Sequence, residues 1–144
     1  MTGLVVLVVA LLAATAFGLY RRRTDGRVRG VDVGGGSATD QGPALTAADL
    51  GAPLGERFTL VQFSSAFCQP CRVTRVVLAD VAGTVPGVAH VELDAEQHLE
   101  LVRRLDVLRT PTTFVLDRAG RIVQRAAGAP RKADVLAALG AAAS

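Results

Sequence analysis

The chain has 144 residues, half of them apolar and a fifth charged, with 16 Lys and Arg against 13 Asp and Glu, and two Cys. That length holds one domain plus attachments; the apolar half excludes a disordered chain, and two Cys can neither staple a disulfide-dense scaffold nor close a four-Cys zinc site. The basic surplus sits in five arginines between Arg21 and Arg29 while residues 45–144 are nearly neutral, and with few aromatic stacking platforms this excludes nucleic-acid binding.

Residues 3–20, GLVVLVVALLAATAFGLY, carry no charge. As a helix they span about 27 Å, close to the hydrocarbon thickness of a bilayer. Two readings fit: a retained membrane anchor, or a signal peptide cleaved after Ala14-Thr15-Ala16. The missing positive n-region and the length of the apolar run favour the anchor. No Lys or Arg precedes the run, and Arg21, Arg22, Arg23, Arg27 and Arg29 follow it. The positive-inside bias thus predicts the C-terminal part on the cytoplasmic side, the extracytoplasmic side being the alternative. From Thr24 to Pro43 the chain is rich in Gly, Asp, Ser and Arg without apolar periodicity, which predicts a flexible linker with a reach of about 25 Å. The expected organisation is an anchor over 1–20, a basic and Gly-rich linker over 21–44, and a folded domain over 45–144.

Within that domain, Arg57 to Ser64 is β-rich and apolar at Phe58, Leu60, Val61 and Phe63, as suits a buried strand. Cys71 to Ala82 places Val73, Val76, Val77 and Val81 on one helical face, with Gly83 as the expected C-cap. Val88 to Leu93 is a second strand, and Asp94 is expected to cap a helix through Leu99, Val102 and Leu105. Thr112 to Leu116 and Arg121 to Ala126 flank the hairpin loop Asp117-Arg118-Ala119-Gly120. Pro130 then opens a last helix, Arg131 to Leu139. The order β-α-β-α-β-β-α predicts an α/β fold whose mixed sheet, flanked by helices, has a parallel part made by crossovers and an antiparallel hairpin.

Both cysteines lie in Phe67-Cys68-Gln69-Pro70-Cys71, after a buried strand and at the start of a helix. Free backbone N–H groups and the positive end of the helix dipole stabilise a thiolate there, lowering its pKa from about 8.5 towards 7. This makes Cys68 the expected attacking thiolate, with Cys71 most of a turn below it and close enough for a disulfide. Pro70 costs nothing in a first helical turn. Zinc, the alternative for any Cys-x-x-Cys, would need His90 and His98, which lie on a strand and a helix outside any His-x₃₋₅-His spacing; no metal and no cofactor is expected. Arg109-Thr110-Pro111-Thr112 precedes the hairpin. It is either a simple strand-entry turn or a cis-proline whose preceding backbone pairs with an extended substrate peptide beside the thiol. The arginines Arg103, Arg104 and Arg109 are assigned no substrate site.

With these features in place, the domain resembles the thioredoxin family over roughly Leu45 to Leu139. The matching residues are the strand Leu60 to Ser64, Cys68-Gln69-Pro70-Cys71 heading a helix, Leu93-Asp94, Thr110-Pro111-Thr112 and Gly128. The resemblance implies a thioredoxin-like fold and exchange of disulfides with protein partners: Cys68 attacks a substrate disulfide, and Cys71 resolves the mixed disulfide. Phe67, Gln69, Pro70, Thr110 and Pro111 would contact the substrate. Three positions depart from the family pattern. Phe67 stands where Trp is usual, Gln69 where Gly is usual, and Gln62 where a buried acid normally shuttles the proton of Cys71. His90, near the family's lysine position, is either a compensating proton acceptor or a solvent-facing strand residue. The reading is a membrane-tethered, monomeric thiol–disulfide oxidoreductase served by an upstream thiol reductant. The alternatives are a redox-inactive thioredoxin-like interaction module, and an exported reductase for extracytoplasmic thiol chemistry such as cytochrome c maturation.

Overall fold

The computed structural model describes residues 2–24, 28–30 and 43–144. Helix α1 covers Thr2–Thr24, and its stretch Thr2–Arg21 is long and apolar enough to cross a bilayer, with none of it buried against the rest of the chain. Strands β1 (Val28–Gly30), β2 (Phe58–Ser64), β3 (Val88–Asp94), β4 (Thr112–Asp117) and β5 (Ile122–Ala127) form one sheet in the order β1-β5-β4-β2-β3. Only β2 and β3 are parallel; the other pairs are antiparallel. The expected mixed sheet is therefore present, with one addition. Val28–Gly30, inside the stretch expected to be a linker, is an edge strand on β5. Of the rest of that stretch, 21–24 continue α1, Ala44 bridges Arg121, and 25–27 and 31–42 lie outside the described residues.

Alternation along the central strands divides the core in two. Phe58, Leu60 and Val115 face Leu78 and Val81 of α3 (Gln69–Thr84) and Val135 and Leu139 of α5 (Lys132–Ala143). Val61, Phe63, Phe114 and Leu116 face Leu50 of the short α2 (Ala47–Leu50) and Leu101 of α4 (Leu99–Arg104). Phe63 and Phe114 meet edge to face at 5.8 Å, a geometry the ring quadrupoles favour. Flanked by β3 and β4, β2 is buried along its whole length, and its C-terminal end delivers the chain to the cysteines.

Three helix termini differ from expectation. Helix α3 runs through Gly83 to Thr84. What stops it is Pro86, which drives the residue before it out of helical geometry: Val85 has φ −98° and ψ 115°. Asp94 does not cap α4, because its Oδ1 accepts from the Glu96 N–H at 2.9 Å and closes a local turn. The α4 N-cap is instead His98, whose Nδ1 lies 2.8 Å from the Asp94 carbonyl oxygen. Pro130 precedes the α5 N-cap Arg131, and that helix extends to Ala143 through alanines, the best helix formers.

Candidate active site at the start of helix α3

Cys68 is the N-cap of α3, and Pro70 lies in its first turn. Cys68 and Cys71 form a disulfide. The Cys71 backbone N–H donates to Cys68 Sγ at 3.2 Å, a helix-N-terminal donor that would also face the sulfur as a thiolate once the disulfide is reduced. Cys68 is half-buried, whereas Cys71 is only 2% exposed. An incoming disulfide can therefore reach the first sulfur and not the second. Phe67, at φ 60°, turns in the left-handed region and leaves its ring fully exposed. Gln69 and Pro70 are exposed beside it.

The loop before β4 closes on the same sulfur. The Thr110–Pro111 peptide bond is cis. Thr110 Oγ1 stands 3.8 Å from Cys68 Sγ and 2.8 Å from Ser65 Oγ, so Ser65 holds the hydroxyl that faces the nucleophile position. Thr112 Oγ1 donates to the Arg109 carbonyl at 2.7 Å, and the Gly128 N–H donates to the Pro111 carbonyl at 2.8 Å. Gly128 does so at φ 89°, a conformation that suits glycine. Leu108, on the same loop, is 90% exposed.

Beneath Cys71 lies a polar group of a different kind. Gln62 is completely buried; its Nε2 donates to the Cys71 carbonyl at 2.8 Å and to Ser64 Oγ at 2.9 Å. Its Oε1 is 3.2 Å from His90 Nε2. Both amide protons and the amide oxygen thus have partners, which is what a buried amide requires. Burial pushes the His90 pKa below the ordinary histidine value of 6.5; Glu92 opposes this and Arg75 reinforces it. Arg75 Nε and Nη2 in turn grip Glu92 at 2.5 and 2.7 Å, a two-point pair that holds the Glu92 carboxyl below its ordinary range.

The structure brings together the residues singled out in the sequence: Cys68, Phe67, Gln69, Pro70 and Thr110 at the rim, Cys71 and Pro111 buried just behind it, and Gln62 and His90 below. Sequence reasoning missed the Thr110 hydroxyl as a neighbour of the sulfur, Ser65 as its partner, and the Arg75–Glu92 pair beside His90. Glu92 was discoverable, since it stands two residues from His90 on the same face of β3. Arg103 and Arg104 stay outside the site, Arg104 pairing with Asp49 at 3.4 Å. Arg109 Nη2 donates to the Ala127 carbonyl at 3.0 Å. Among the described residues no cluster of His, Cys, Asp or Glu could hold a metal ion.

Residues 49–141 match the family model described as Thioredoxin. The chain is 33% identical over 75 residues to thioredoxin H2-1 of Oryza sativa subsp. japonica, covering 52% of this chain and 54% of that protein. It is 30% identical over 92 residues to the H-type thioredoxin of Picea mariana, covering 62% and 72%. The chain thus spans about half the length of the rice relative. Among solved structures, thioredoxin f from spinach chloroplast superposes with a TM-score of 0.55 at 23% identity, over 62% of this chain and 80% of that one. Fasciola hepatica thioredoxin superposes with a TM-score of 0.53 at 24% identity, over 60% and 82%. These two likenesses are of fold.

Proposed function

The chain belongs to the thioredoxin family, and from that premise we propose that it is a thiol–disulfide oxidoreductase that exchanges disulfides with protein partners through Cys68 and Cys71 while tethered to a membrane by α1. One observation carries the chemical part: the two sulfurs are bonded at the N-terminus of α3, the first accessible and the second 2% exposed. The Cys68 thiolate attacks a partner disulfide, and one partner sulfur leaves as a thiolate and takes up a proton. Cys71 loses its proton and attacks the Cys68 sulfur, so the second partner thiol departs and the Cys68–Cys71 disulfide forms. Two electrons pass to the partner, and a thiol reductant returns the dithiol. During attack the Cys71 N–H and the Thr110 hydroxyl face the Cys68 sulfur, while Phe67, Gln69, Pro70 and the Thr110–Pro111 backbone offer the partner peptide its contact surface.

Tethering rests on the length and apolar composition of α1, and the cytoplasmic side on the arginines that follow it. The test of the chemistry is Cys71→Ser, which should accumulate a mixed disulfide between Cys68 and its partner, visible on non-reducing gels and released by dithiothreitol. Normal turnover by Cys71→Ser, or alkylation near neutral pH that prefers Cys71, would refute the assignment.

A further inference from the structure

Strand β1 brings the anchor and the dithiol to the same pole of the domain. Val28 is in register with Ala126, Ala126 with Thr113, and Thr113 with Gln62. Val28 therefore lies in the sheet row that passes through Gln62, whose amide is bonded to the Cys71 carbonyl. From there β1 runs to Gly30, level with Gln124 and Val115, away from the cysteines. The chain before Val28 leaves the sheet towards the end at which Ser64 leads into Cys68.

The leash is short. Helix α1 ends at Thr24 and β1 begins at Val28, so four residue steps reach at most about 14 Å. Strands β1 and β2 are three places apart in the sheet, about 14 Å. The pole nearest the anchor is thus the one that carries Cys68. At that pole Phe67 is fully exposed and Leu108 90% exposed, one on each of the two loops that meet at the Cys68–Thr110 contact.

Resting on the anchored-oxidoreductase reading, we infer that the dithiol works at the level of the lipid headgroups and that its partner is a disulfide carried at that level by an integral membrane protein. A partner confined to the same surface meets Cys68 at the high effective concentration that a short tether creates. A soluble partner must enter between the pole and the bilayer.

The full chain in phosphatidylcholine vesicles provides the test. One probe is a phosphatidylethanolamine whose headgroup carries a 2-pyridyl disulfide; the other is the soluble mixed disulfide of glutathione and 2-thiopyridine. Both release pyridine-2-thione when the reduced protein attacks. Inserting twenty Gly and Ser residues between Thr24 and Val28 should slow reaction with the lipid probe about five- to tenfold, as effective concentration falls with tether length. The rate with the soluble probe should not fall, and an unchanged circular dichroism spectrum and denaturation midpoint report that the variant is folded. In parallel, energy transfer to a headgroup-labelled lipid should be greater from a fluorophore on Cys68 of Cys71→Ser than from one on Arg118→Cys, in the hairpin loop at the opposite pole, with both native cysteines replaced by Ser. If the chain does not float with vesicles, the anchor reading fails and this inference with it. If it floats and the insertion leaves the ratio of the two rates unchanged, or transfer from the hairpin equals that from Cys68, the anchor stands and the headgroup-level partner is wrong.

Discussion

At the residue scale the centre of interest is Gln62, which occupies the position beneath the disulfide with an amide in place of a carboxyl. A Gln cannot take the proton that Cys71 must lose, so resolution should depend on water or on His90, whose Nε2 meets the amide oxygen. Gln62→Asp should accelerate resolution and His90→Ala should slow it. A positioned base contributes about 10²–10⁴-fold, of which water already supplies part. Because Gln62 donates to the Cys71 carbonyl and Ser64, and an ionised Asp donates nothing, the new carboxyl would have a raised pKa and the variant would be less stable. Single-turnover rates from pH 5 to 9 check this, and unchanged profiles in both variants would leave solvent alone as the acceptor. His90 has a second consequence. Its folded pKa lies below 6.5, so the unfolded chain binds the proton more readily. The stability it contributes is complete above pH 6.5 and is lost as pH falls towards the folded value. Glu92, lowered from 4.5 by Arg75, adds a second loss below that pH. His90→Leu should abolish only the first of these, as read from denaturation midpoints at pH 7, 5.5 and 4.

At the scale of elements, α3 holds its first turn against β2 through the Gln62 amide and its flank against β3 through Arg75 and Glu92. The C-terminal end of helix α4 is gripped by a side chain from across the domain. Arg125 of β5 donates to the Leu105 carbonyl at 2.7 Å and the Asp106 carbonyl at 2.5 Å, with its guanidinium 5.1 Å from the centre of the Phe114 ring. Leu105 is the C-cap of α4, where carbonyls lose their intrahelical partners, and Asp106 just beyond it has φ 50°. Arg125→Ala should cost about 1–3 kcal/mol, and Lys should not restore it, since only the planar fork reaches both carbonyls. Urea denaturation of the two variants measures the difference. Hydrogen exchange should accelerate first in α4.

At the scale of the whole molecule, the charge asymmetry around α1 predicts orientation. Reporter fusions at the C-terminus should be active only on the cytoplasmic side, and replacing Arg21, Arg22 and Arg23 with Gln should produce a mixed population, because those residues lie within the distance over which flanking charge acts. Activity only from an exterior-dependent reporter, or a mature N-terminus near Phe17, would instead mean export.

The local features were legible because local chemistry decides them. A β-rich apolar run marked β2, the Cys68–Cys71 spacing on a helix start marked the dithiol, and Asp117 to Gly120 marked the hairpin of β4 and β5. Resemblance to a family then ordered these pieces and identified Gln62 as the anomalous position. Even the helix stop was written in Pro86, although Gly83 seemed the stronger mark. What the sequence alone did not determine are pairings between distant segments: Ser65 with Thr110, Arg75 with Glu92, Arg125 with the end of α4, and above all Val28–Gly30 with β5. A three-residue strand among glycines and arginines carries no periodicity, and whether it pairs depends on which edge of a finished sheet remains open. Only the folded sheet has that edge, and only its register shows at which end of the sheet Val28 enters.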